Sequence, residues 1–234
     1  MDFAIIAAGE GSRLAKSGYP YPKPLARLNG IPLIERLITT FVAHGADTIH
    51  IIVNEESTEL AESLHSNREN TQIRVVQKST PSSLHSFYEL LKEVPNIEEL
   101  CATTVDTIFK EEEFGAYLEE FRRNTSLDAL MAVTPFVEDE SPLYVRTNAS
   151  GDVMAFTDKN EDSTKILVSG GIYALRRKAL ACVPKAIDNN IERMRNFQRL
   201  LLEEHLNVKA FTFDKIIDID HLADLQLAET WLND

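Results

Sequence analysis

Short apolar runs alternate with amphipathic stretches through the first 135 residues, and this alternation limits the fold more than any other feature of the chain. The runs at 3–8, 48–53, 73–77, 100–105 and 127–133 suit strands buried on both faces. Between them, Ile34, Leu37, Ile38 and Phe41 share one helical face, as do Phe87, Leu90 and Leu91, and then Phe114, Tyr117, Leu118 and Phe121. Parallel strands need crossovers long enough to hold a helix, and these spacings supply them. The pattern predicts an α/β fold, a parallel sheet covered on both faces, with ligands at the carboxyl ends of the strands.

After Pro135 the pattern changes. Residues 143–146 and 153–157 read as a hairpin joined through Asn148-Ala149-Ser150-Gly151-Asp152, and a strand at 166–175 follows. Helices near 177–186 and 191–205, a strand at 208–213 and a last helix at 221–232 complete the chain. No repeat, low-complexity linker or Pro/Gly/Ser-rich joint separates the halves. The second half is therefore expected to add strands to the same sheet, giving one domain over 1–234.

Charge and composition narrow the partners. A net charge of −13 leaves no basic footprint for a nucleic-acid polymer. Cys101 and Cys182 both sit in apolar segments, as small buried thiols do in a reducing interior. No apolar run approaches the roughly 18 to 20 residues of a bilayer span. Met1-Asp2-Phe3 lacks the basic flank of a signal peptide. The expected setting is cytoplasmic, with no membrane partner.

The first strand runs into Ala7-Ala8-Gly9-Glu10-Gly11-Ser12-Arg13-Leu14. Its two glycines allow a sharp turn that brings successive N–H groups near an anion, and Arg13 adds a forked cation. A dinucleotide fingerprint would want a third glycine where Leu14 stands. In Tyr21-Pro22-Lys23-Pro24-Leu25, prolines stiffen the backbone on both sides of a lysine and so position its ammonium.

These two motifs together resemble the signature of nucleotidyltransferases with a sugar-nucleotide pyrophosphorylase fold, including the MobA-like NTP transferases. The resemblance implies a three-layer Rossmann-like, GT-A-type mixed and mostly parallel sheet. It implies a nucleotide-binding half at 1–135 and an acceptor-binding half at 136–234. The nucleotide is then expected on Ala7, Ala8, Gly9, Gly11, Ser12, Arg13 and Lys23, with Arg13 and Lys23 catalytic. Base recognition is expected at Gln77 and at Ser82 and Ser83, where serines replace the family's usual glycine-containing pair, so the base itself stays open.

Carboxylates supply the remaining chemistry. Asp106 ends a buried strand, at the position of a ligand-binding acid, although Asp also caps turns. In Ile217-Asp218-Ile219-Asp220-His221, strand alternation points Asp218 and Asp220 to the same side. Asp106, Asp218 and Asp220 would together form a hard oxygen site suited to Mg²⁺, and Mg²⁺ is the expected cofactor. Many relatives carry Thr-Pro-Glu where this chain has His221-Leu222-Ala223. Asp220 reads equally well as the N-cap of the last helix, so Asp218 and Asp220 are not ranked here. His221 reads as helix surface.

On the acceptor side, Ala155-Phe156-Thr157-Asp158-Lys159 resembles the Glu-Lys-Pro segment whose lysine meets the acceptor phosphate, with Asn160 in place of the proline. A solvated Lys159 in an acidic turn with Glu161 and Asp162 is the alternative. Gly170 and Gly171 resemble a strand in which absent side chains leave room for the acceptor. Arg195 reads either as an acceptor contact or, with Arg199, as a partner of Glu192 or Glu203 at helical spacing.

The expected reaction joins the nucleotidyl group of an NTP to a phosphorylated small-molecule acceptor, foremost a sugar 1-phosphate, and releases pyrophosphate. A choline-phosphate-type cytidylyltransferase and a non-catalytic nucleotide-binding regulator on the same fold are the rivals. A nucleotide-sugar glycosyltransferase would want Asp-x-Asp where this chain reads Asp106-Thr107-Ile108. Fold analogy alone suggests a homodimer.

Overall fold

The structure is a computed structural model that describes residues 1–64, 71–137, 140–160 and 166–233. In chain order the strands are β1 (Asp2–Ala7), β2 (Arg27–Leu28), β3 (Ile31–Pro32), β4 (Thr48–Val53), β5 (Gln72–Gln77), β6 (Glu99–Thr104), β7 (Thr107–Ile108), β8 (Ala129–Thr134), β9 (Tyr144–Thr147), β10 (Val153–Thr157), β11 (Val168–Arg176), β12 (Val208–Thr212) and β13 (Ile217–Asp218). The helices are α1 (Ser12–Lys16), α2 (Leu33–Ala43), α3 (Thr58–Leu64), α4 (Ser83–Lys92), α5 (Glu111–Arg123), α6 (Arg177–Asp188), α7 (Met194–Glu203) and α8 (Leu222–Asn233).

Alternation along β1 shows how the layers form. Phe3, Ile5 and Ala7 pack into one hydrophobic cluster with α2, α3, α5 and α8. Ala4 and Ile6 pack into a second cluster with α4, α6 and α7. A strand apolar from Phe3 to its end is thus covered on both faces, as the sequence required. The first cluster is rich in rings: Phe3 stacks on Phe41 at 4.5 Å between centroids, and Phe41 on Phe114 at 5.7 Å.

The main sheet runs β10-β9-β11-β6-β1-β4-β5, with β8 and then β12 branching from β11. Neighbours β6, β1, β4 and β5 are parallel, as are β8 and β12. β11 is antiparallel to β6, β8 and β9. The sheet is mixed and takes strands from both halves of the chain. Tyr117 splices β8 to β11: its buried hydroxyl donates to Leu130 O and accepts from Ala174 N, each at 2.6 Å.

The expected hairpin is β9–β10, and Asn148 builds its turn. The Asn148 side-chain oxygen accepts from Ser150 N and Asp152 N at 2.9 Å each, while Gly151 takes φ 85°. The helix expected at 191–205 is shorter, Met194–Glu203, because Arg193 is extended and Asn190 takes φ 56°. Among the described residues no helix is long and apolar enough to cross a membrane.

Candidate active site

β1 ends at the carboxyl edge of the sheet and hands the chain to the Gly9-to-Leu14 turn. Gly11 has φ 60°, and a Cβ there would stand 2.9 Å from the Cβ of Lys23. Only glycine meets both demands, the left-handed backbone and the close approach of the Lys23 segment. Lys23 opens a single 3-10 turn, Lys23–Leu25, fixed by Leu25 N donating to Pro22 O and Ala26 N to Lys23 O. The prolines on either side hold the main chain, which leaves the side chain to choose its partner.

That partner is a pair of carboxylates. The Lys23 ammonium donates to Asp106 Oδ2 at 2.6 Å and to Asp220 Oδ1 at 2.8 Å, and Arg13 Nη1 pairs with Asp220 Oδ2 at 2.6 Å. Residues from the start, middle and end of the chain therefore meet in one charge cluster. A small clamp brings the two acids together: β7, just after Asp106, pairs with β13, and Ile219 N donates to Asp106 O at 3.0 Å.

Asp220 is not spent as a helix cap. Asp224 Oδ2 takes the N–H groups of Asp220 and His221 at 2.8 and 2.6 Å, in the manner of a carboxylate reaching back over a helix start. This leaves the Asp220 carboxylate directed at Lys23 and Arg13. Burial works against charge on Lys23, but Asp106 and then Asp220 outweigh it and hold the ammonium above the usual lysine range. Burial likewise works against the Asp106 carboxylate, and Lys23 holds it below the usual aspartate range.

The same geometry bears on a divalent cation. Asp106 and Asp220 direct one oxygen each at a single cationic point, now the ammonium, and hard paired oxygens of this kind suit Mg²⁺. The expected trio with Asp218 does not gather. Among the described residues no three His, Cys, Asp or Glu side chains group closely enough to hold a metal. Asp218 and Asp220 both face away from the core, alternating with buried Ile217 and Ile219. Strand alternation thus holds, but only Asp220, beyond the end of β13, reaches Lys23.

A cleft opens beside the cluster, lined by Arg13, Asp218, Asp220, His221 and Asp224 and by Thr134, Phe136, Ser169, Gly170 and Ile216. His221, read from sequence as helix surface, lines it, and so does Glu140. Thr134, Phe136, Glu140 and Ile216 were not singled out in the sequence. They come from strand ends and connections whose meeting is fixed by sheet topology rather than by a local motif.

The other predicted residues are placed as follows. Ala7 and Ala8 are buried, and Gly9 and Ser12 are exposed at the turn. Gln77 ends β5, its amide donating to Glu55 O at 2.6 Å and Thr58 Oγ1 at 3.1 Å. Ser82 is the N-cap of α4 and also bonds Glu192 O, while Ser83 is the first residue of that helix. Gly170 and Gly171 lie where β11 shifts register against β8. A Cβ on Gly170 would stand 2.3 Å from Ile216 Cδ1, and one on Gly171, at φ 74°, would stand 3.0 Å from Thr107 Oγ1. Their missing side chains therefore admit protein atoms, although Gly170 also borders the cleft.

Lys159 is exposed in the turn after β10, and Glu161 and Asp162 lie outside the described residues. The helical-spacing pairs expected for Arg195 and Arg199 give way to a shared partner. Both arginines pair with Asp158 at 2.8 Å, and Arg195 also donates to Ser141 O at 2.7 Å. The hairpin packs on α7 and offers a carboxylate to both guanidinium groups, while Glu192 lies before the helix begins and so lacks the helical spacing expected of it.

Comparison with known proteins follows the same lines. Residues 3–171 match the family model of the MobA-like NTP transferase domain, and the chain belongs to that family. It is similar to the bifunctional protein GlmU of Bartonella bacilliformis, 24% identical over 94% of this chain and 50% of that protein. It is also similar to mannose-1-phosphate guanylyltransferase of Mycobacterium tuberculosis, 21% identical over 82% of this chain and 54% of that protein. The chain thus spans about half the length of these curated relatives. Among solved structures, the inositol-1-phosphate CTP transferase from T. maritima shares the fold with a TM-score of 0.79 at 17% identity, over 97% of this chain and 93% of that one.

Proposed function

We propose that this member of the MobA-like NTP transferase family joins the nucleotidyl group of an NTP to a phosphorylated small-molecule acceptor, foremost a sugar 1-phosphate, and releases pyrophosphate. The observation that carries the reading is the meeting of Arg13, Lys23, Asp106 and Asp220 at the end of β1, beside an open cleft. In this reading the chain is one cytoplasmic nucleotidyltransferase domain, with its nucleotide-binding half at 1–135 and its acceptor-binding half at 136–234. Gln77 and Ser83 lie toward the base, and Lys159, Gly170 and Arg195 lie toward the acceptor.

The acceptor phosphate is already anionic near neutral pH, so no activated side-chain nucleophile is needed and positioning carries the reaction. One acceptor oxygen forms a bond to the α-phosphorus while the bond from that phosphorus to the bridging oxygen of the β-phosphate breaks. The electron pair leaves with pyrophosphate. Lys23 offsets charge on the α-phosphoryl oxygens, and Arg13 faces the departing pyrophosphate. Asp106 and Asp220 are the residues that would hold Mg²⁺, which supplies charge neutralisation at the phosphates when bound.

Pyrophosphate release from each NTP, measured against a panel of sugar 1-phosphates, amino-alcohol phosphates and choline phosphate, tests the reading. Release with one NTP and one acceptor class is the expected result. Nucleotide binding without release for every acceptor would favour the regulator instead.

A further inference from the structure

The position that Asp106 and Asp220 offer a divalent cation is held by a cation belonging to the chain itself. Lys23 Nζ lies 2.6 Å from Asp106 Oδ2 and 2.8 Å from Asp220 Oδ1, while Arg13 holds the second oxygen of Asp220 at 2.6 Å. The formal charges of these four side chains cancel. Only 11% of the Lys23 side chain is exposed, so the pair is shielded from the screening that weakens surface ion pairs.

We propose that Lys23 keeps the carboxylate pair closed to a free divalent ion, so that metal enters the site only together with the nucleotide. The inference rests on the nucleotide-site reading above and adds an order of binding to it. A free metal ion arriving alone would have to displace an ammonium from both acids and leave it, with Arg13, in a partly buried site holding excess positive charge. A triphosphate removes that penalty, since its oxygens can accept both Lys23 and Arg13 and it brings more negative charge than the metal brings positive.

The backbone is built for the exchange. Gly11 lies so close to Lys23 that even a Cβ on it would collide with the Lys23 Cβ, and prolines flank the lysine. The main chain of Lys23 is thereby fixed beside the glycine turn, and only its flexible side chain needs to turn from the acids to a phosphate. The cation that closes the metal position is thus the one expected at the α-phosphate, which couples the two events without a moving loop.

Water-proton relaxation with Mn²⁺ tests this without turnover, because it reports metal bound to protein and leaves a free metal–nucleotide complex nearly silent. The wild-type chain with Mn²⁺ alone should show no enhancement, and adding the accepted NTP should produce it. Lys23→Met and Lys23→Gln should each bind Mn²⁺ alone at least about tenfold more tightly than wild type, and adding Asp106→Asn to either should remove that gain. Melting curves select whichever single variant is folded. Wild type binding Mn²⁺ alone as tightly as the Lys23 variants, or no gain in a folded variant, overturns the proposal. Absence of enhancement with every NTP on wild type overturns the nucleotide-site reading itself and the gating with it.

Discussion

Two regions of the molecule spend their charges differently. In the region proposed for the nucleotide, Arg13, Lys23, Asp106 and Asp220 come from distant parts of the chain, and every contact among them is one that a ligand carrying phosphates or a metal can replace. In the region proposed for the acceptor, Arg195 and Arg199 share Asp158 on the hairpin they pack against, and the space at Gly170 and Gly171 is taken by Ile216 and Thr107. One region is a charge balance waiting for a competitor, and the other is largely settled packing. A residue type at the right place in a motif therefore says less about binding than the identity of its partner does.

Mutation can break that contrast, and the largest effects belong to the Lys23 cluster. Lys23→Ala and Asp106→Ala should each lower kcat/KM for pyrophosphate release by about 10²- to 10³-fold. Because the two side chains act as a unit, the double variant should lose little more than the worse single one. Losses that simply multiply would separate them.

The next comparison sets Asp220 against Asp218. Asp220→Asn should cost roughly 10²-fold in kcat, whereas Asp218→Asn should cost less than about tenfold, since only Asp220 reaches Lys23. Equal losses would return Asp218 to the metal site.

In the second region the effects should fall on stability. Gly170→Ala forces its Cβ against Ile216 Cδ1, and because that atom is the flexible end of a side chain the overpacking cost should fall at the low end of about 1–3 kcal/mol, read by denaturant titration. Removing that methyl with Ile216→Val in the same chain should recover part of the loss. A neutral Gly170→Ala would show that the strand glycine is not there for packing.

The smallest effect concerns Asp158. The hydrogen bond from Arg199, helped by that from Arg195, outweighs burial and holds its carboxyl below the usual aspartate range. The sign follows: the contribution is complete above the ordinary aspartate pKa and is lost as pH falls through the lowered one. Arg195→Ala should therefore destabilise slightly at neutral pH, less at high salt, and less again in acid, where only its bond to Ser141 O is left to lose, as thermal melts across pH would report.

Much of this was legible in the sequence because local rules fixed it. The strand runs and the helical faces of α2, α4 and α5 were readable as periodicity, and Arg13, Lys23 and Asp106 stood at strand ends or between prolines. α1 and α3, with five and seven residues, are too short for a helical period to show. Asp218 and Asp220 are both cleft-facing under strand alternation, so periodicity cannot choose between them, and the choice comes from the β7–β13 clamp and from Asp224. The same limit applies to Phe136, Ser169 and Ile216 in the cleft wall, and to the Asp158 pairing, which depends on where the hairpin docks.

The central claim is that the cluster of Arg13, Lys23, Asp106 and Asp220 is where the triphosphate and its metal bind. A crystal structure of the wild-type chain with Mg²⁺ and the accepted NTP tests it most directly. The account predicts a triphosphate at the Gly9-to-Arg13 turn, with Lys23 moved from both acids onto a phosphate oxygen. A triphosphate bound elsewhere, with Lys23 still seated between Asp106 and Asp220, would contradict it.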